Sequence, residues 1–90
     1  MQTPVQAEFP AVLGSLTPLA GWLEARLSAL PVDDEWRVAL DLAVCEVATN
    51  IIRHALHEDA TRAFSVRFDI RDSDVCIVFT DAGDAFPLAD

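Results

Sequence analysis

Residues 42–57 read Leu-Ala-Val-Cys-Glu-Val-Ala-Thr-Asn-Ile-Ile-Arg-His-Ala-Leu-His. Apolar residues fill most of the stretch, and three polar side chains, Glu46, Asn50 and His54, interrupt it at successive four-residue steps. Four residues advance roughly 400° around an α-helix, so the three stack on one stripe. An acid, an amide and an imidazole placed in this way can converge on one ligand. Left without partners in apolar surroundings, a polar group loses about 1–3 kcal/mol and a carboxylate more. The stripe is therefore a candidate active site.

Upstream, Pro31-Val32-Asp33-Asp34-Glu35 supplies an N-cap and first-turn acids that suit the positive end of a helix dipole. The helix they start is expected to run to about His57. Leu40, Val44, Val47 and Ile51 line its core face, while Leu42, Ala48, Ile52 and Ala55 make the remainder apolar enough to expect cover on most sides. An earlier helix of about thirteen residues is expected from Thr17-Pro18, read as N-cap and first-turn proline, through Leu19, Leu23, Leu27 and Leu30 to the stop at Pro31. Trp22 lies off that leucine line and reads as a core aromatic, with partner docking as the alternative. Residues 4–12 are short and proline-bounded, which suits an edge strand.

Downstream, Phe64, Val66, Phe68 and Ile70 alternate with Ser65, Arg67 and Asp69, the period of a half-buried strand. Arg71-Asp72-Ser73-Asp74 reads as a turn, and Val75 to Thr80 as a second, more fully buried strand, giving a 63–80 hairpin. The chain leaves that strand through Asp81-Ala82-Gly83. A glycine there lets a flat ring approach the backbone, and a carboxylate can accept from an exocyclic amine. A plain Asp/Gly turn is the bland alternative. Two helices over a mixed, mostly antiparallel sheet make an α/β (α+β) two-layer sandwich.

Composition narrows the function. Ninety residues suffice for one small domain. Six Lys plus Arg, all of them Arg, against fifteen Asp plus Glu give a formal charge of −9, which repels a phosphate backbone and argues against nucleic acid as a partner. A basic protein surface is the better match. Apolar runs are broken well before the ~18 residues that a membrane span needs, so no membrane partner is expected. The N-terminus lacks a basic region followed by an apolar one, and a cytoplasmic location follows by default. Cys45 and Cys76 lack a second ligand pair and read as buried free thiols.

Glu46-x3-Asn50-x3-His54-Ala55 on a helix, followed by a hairpin and then Asp81-x-Gly83-x2-Phe86, together resemble the Bergerat-fold (histidine-kinase-like, GHKL) ATPases. The His-Ala ending resembles the branch of anti-sigma-factor serine kinases of the RsbW and SpoIIAB type. The resemblance implies ATP and Mg2+ as cofactors. It gives Asn50 to the magnesium, Glu46 to orienting or deprotonating the attacking serine hydroxyl, Asp81 to the adenine amino group, and Gly83 to making room for the ring. His54 would either hold a structural hydrogen bond near the phosphates or touch the ligand directly. Arg53 reads as an exposed helical arginine, with phosphate neutralisation as the alternative. Implied partners are a sigma factor and an anti-anti-sigma protein of the STAS type, with a homodimer compatible. The 90-residue chain holds Gly14, Gly21 and Gly83 only, so a truncated domain without ATP lid or glycine-rich second box is expected, inactive by itself as a kinase, and with a sheet edge left open. The alternative function is a non-catalytic protein-binding module on the same scaffold that has lost nucleotide binding. A sensor histidine kinase ATPase domain ranks behind both.

Overall fold

A computed structural model describes residues 5–81 and, as backbone, 84–89. The order of elements is β1 (Val5–Pro10), α1 (Leu16–Leu27), α2 (Asp34–Asn50), β2 (Ala63–Arg71), β3 (Asp74–Asp81) and β4 (Asp84–Ala89), with a short 3-10 turn before α1 and a wide π turn, Ile51–Ala55, after α2. The sheet order is β1-β2-β3-β4 and every pairing is antiparallel. The parallel component expected of a mixed sheet is absent among the described strands. β4 pairs along β3 and, with β1 on the other side, forms an edge of the sheet among the described strands.

The two-residue turn at Asp72-Ser73 sets the register of the hairpin: Arg71 pairs with Asp74, and seven steps further back Phe64 pairs with Asp81. Asp72 takes a φ of 58°, the left-handed value that short hairpin turns require and that aspartate tolerates. Alternation along β2 and β3 then puts Phe64, Val66, Phe68, Ile77 and Phe79 on one face, all buried, with Phe9 of β1 beside them. Phe9 and Phe64 lie 5.8 Å apart between ring centroids, and Phe64 and Phe79 6.5 Å. Both helices cover this face. Leu19, Leu23 and Leu27 of α1 and Val44 and Ala48 of α2 join the same core, continued by Ile51, Ile52 and Leu56. Each fully buried side chain of this size contributes about 1.5–3 kcal/mol.

Local signals explain most helix ends. Asp33 caps α2, its carboxylate accepting from the Trp36 amide at 2.8 Å, and Asp34 and Glu35 occupy the first turn. α1 differs from expectation: Thr17 lies inside the helix, and Ser15 precedes it without capping through its side chain, because the Ser15 hydroxyl donates to the Pro10 carbonyl. Trp22 is half-buried, edge-on to Phe9 at 6.4 Å, with the Arg26 guanidinium over its ring.

Two expectations for α2 need correction. Cover on most sides is not found: Leu42 is 57% exposed and Val38 61%. The buried stripe is Val44, Ala48, Ile51 and Ile52, and positions 38, 42 and 45 turn away from the sheet. For the same reason Cys45 is exposed, and Cys76 is only partly buried, lying on the sheet face that the helices do not cover. Both thiols are free.

Candidate functional site

α2 ends its regular winding at Asn50. The Ile51 amide is shared between the Ala48 and Val47 carbonyls, and the Leu56 amide reaches back five residues to the Ile51 carbonyl at 2.8 Å. One turn earlier the Thr49 hydroxyl donates to the Cys45 carbonyl at 2.7 Å, a local bond that loosens the backbone ladder. The Glu58 amide then donates to the Ile52 carbonyl, and His57 and Glu58 take φ values of 55° and 54°, two non-glycine residues in the left-handed region. π turns of this kind are rare and frequently mark functional sites.

The widening alters the four-residue arithmetic. Glu46 and Asn50 remain one α-helical turn apart, but His54 sits inside the π turn, where four steps fall short of a full revolution. Glu46, Asn50 and His54 are all exposed. Asn50 and His54 share an open hollow of about 440 Å³, whose floor is Val47, Ile51 and Ala55; Glu46 and Asp81 are not in its lining. Val47 and Ile51, expected on the core face, and Ala55 floor this hollow as well, one residue further round the helix from Glu46, Asn50 and His54.

Asp81 closes β3 on the helix-covered face, directly opposite Phe64. It is 6% exposed, and among the described residues its Oδ1 has no hydrogen-bond partner. Cross-strand neighbours stand about 4.5–5.5 Å apart at Cβ, which puts an aromatic ring beside the carboxylate. A buried acceptor without a donor loses about 1–3 kcal/mol, and such groups call for a specific explanation. An external N–H donor is the simplest. The adjacent Gly83 lies outside the described residues.

A loop joins the π turn to β2. In it, the Asp59 carboxylate accepts from the Thr61 hydroxyl at 2.6 Å and from its amide at 2.9 Å. These bonds, the hydroxyl's first, hold the Asp59 carboxyl below its ordinary 3.8. On the uncovered sheet face the Arg71 guanidinium donates to Asp69 at 2.9 Å, and this bond raises the arginine above its usual value.

The donor set fits a magnesium nucleotide. The Oδ1 of Asp81, without a partner among the described residues, can accept from an exocyclic amine, and the amide oxygen of Asn50 is a hard, neutral ligand of the type Mg2+ accepts while keeping several waters. Among the described residues no group of three or more His, Cys, Asp or Glu could hold a metal, so an ion here would take most of its ligands from phosphate and water.

The class of this two-layer sandwich is given by comparison with known families. The model of the histidine kinase-like ATPase domain matches residues 9–90, and the chain belongs to that family. It is similar to the serine-protein kinase RsbW of Bacillus licheniformis, 39% identical over 51 residues, which is 57% of this chain and 32% of that protein. The match thus covers about a third of the relative's length. No helix among the described residues is long and apolar enough to cross a membrane.

Proposed function

We propose that this chain is the ATP-binding part of an anti-sigma factor with serine-protein kinase character. In this reading it acts in the cytoplasm, sequesters a sigma factor, and phosphorylates an anti-anti-sigma protein of the STAS type. The observation that carries the nucleotide half is the buried Oδ1 of Asp81 on the helix-covered face, without a partner among the described residues. Family membership and the similarity to RsbW support the kinase half.

Each residue then has a task its chemistry suits. Asp81 accepts from the adenine amino group. Gly83 leaves room for the ring edge. Asn50 holds the magnesium through its amide oxygen, and His54, in the same hollow, donates toward the phosphates. Glu46, exposed one turn before Asn50, is free to take the proton of an incoming serine hydroxyl. The bound magnesium nucleotide supplies the transferable phosphoryl group.

The chemistry at Asp81 sets a nucleotide preference that can be measured. Adenine offers it a donor, whereas hypoxanthine offers an oxygen that repels a carboxylate. Titration calorimetry should find Mg-ATP preferred over Mg-ITP by roughly a hundredfold, the scale of an unmatched buried polar group. Asp81→Leu should remove that preference, and Asn50→Ala should weaken binding only when Mg2+ is present. Equal affinity for ATP and ITP, or an unchanged ATP affinity in Asp81→Leu, would overturn the assignment.

A further inference from the structure

The outer surface of the helical layer carries a feature that the nucleotide site does not use. Val38, Leu42 and Cys45 follow one another at i, i+4 and i+7 on α2 and point away from the sheet, with Val38 61% and Leu42 57% exposed. These are two of the three large apolar side chains exposed among the described residues. Beside this ridge runs an open groove of about 590 Å³ between α1 and α2, floored by Ala20 and Gly21 on one side and Val38 on the other. A Cβ built on Gly21 would meet no atom within 4 Å, so the α1 side of the groove is bare backbone.

The rim of the groove is acidic. Glu24, Asp34 and Asp41 line it against a single cation, Arg37, whose guanidinium is already engaged by Glu24 and lies 3.8 Å from Asp34. Asp41 has no ion pair among the described residues. Apolar anchors at helical spacing next to a groove between two helices are the geometry into which a third helix packs, at about 8–10 Å between axes. A second copy of this chain would bring the same acidic rim and a formal charge of −9 against itself.

We infer that the α1/α2 groove and the Val38–Leu42–Cys45 ridge dock a basic amphipathic helix of a partner protein. Its apolar stripe covers Val38 and Leu42, and its lysines or arginines face Glu24, Asp34 and Asp41. This surface is independent of Asn50 and Asp81, so it stands whether or not nucleotide binds.

The test titrates the isotope-labelled chain with an amphipathic helical peptide of leucine and lysine, about 18 residues long so that it is helical. A scrambled isomer of equal charge and a leucine/glutamate counterpart serve as controls. Amide shifts from the leucine/lysine peptide should concentrate at residues 20–24 and 34–45, and both controls should bind at least about tenfold more weakly. Val38→Gln and Leu42→Gln, both at exposed positions, should each weaken binding by about tenfold and leave Mg-ATP affinity unchanged. Asp41→Lys should weaken it while leaving the fold intact. Equal binding by the scrambled isomer, shifts centred elsewhere, no effect of Leu42→Gln, or self-association of the chain through this face would each overturn the inference.

Discussion

Asp69 and Asp81 are aspartates on neighbouring strands, 7% and 6% exposed, and they are treated differently by the same sheet. Asp69 lies on the face that the helices leave uncovered, and Arg71, two residues along the same strand, donates to it at 2.9 Å. Asp81 lies on the covered face, where Phe64 is its cross-strand neighbour and its Oδ1 is unpaired among the described residues. Exposure alone does not distinguish them. The partner does: Asp69 shares its charge with an arginine, while the Oδ1 of Asp81 has no donor among the described residues.

The largest effect should come from removing the support that Asp81 rests on. Phe64→Ala deletes a buried ring that touches both Phe9 and Phe79, and urea unfolding should show a loss of about 3–5 kcal/mol, a large part of the stability of a small domain. Next comes the pair itself. Asp81→Leu should raise unfolding stability by about 1–3 kcal/mol while abolishing the ATP preference, since an unpaired buried acceptor is removed. Asp69→Ala should act in the opposite sense, lowering stability by about 1 kcal/mol and leaving Mg-ATP affinity alone, because a satisfied charge-assisted bond is lost far from the ligand. Identical behaviour of the two variants would end the distinction.

The smallest effect is a pH dependence at a third aspartate. Asp59 is held below its ordinary value by Thr61, so its contribution to stability is present above about pH 4 and lost as pH falls through the depressed value. Thr61→Val should remove that part of the acid sensitivity of unfolding. Its midpoint near neutrality should move little, since the group is fully solvent-exposed.

Much of this could be read along the chain. The four-residue spacing placed Glu46 and Asn50 one turn apart, and the period of two with the turn over residues 71–74 located the hairpin, while the pairing of Phe64 with Asp81 came only with the observed register. The acids after Pro31 marked the start of α2 correctly because capping is a local bond, here from the Trp36 amide to Asp33. Where expectation and structure part, competing bonds and packing that periodicity does not register are the cause. Ser15 spends its hydroxyl on Pro10 instead of capping α1, and α2 opens into a π turn at Ile51 when backbone bonds are shared among Val47, Ala48 and Ile51. Leu42 looked like core because an apolar residue in an apolar helix carries no label for direction; only the position of the sheet shows that it points outward.

The sequence by itself determined the family, the charge and the order of the elements up to β3, though neither β4 nor the π turn, because periodicity, caps, turn residues and motif spacing are properties of neighbours along the chain. Tertiary structure decided that Asp81 would be buried opposite Phe64 without a donor among the described residues, and which face of α2 would stay bare. These depend on what the packed layers place within hydrogen-bonding or van der Waals reach, and residues far apart in sequence supply that.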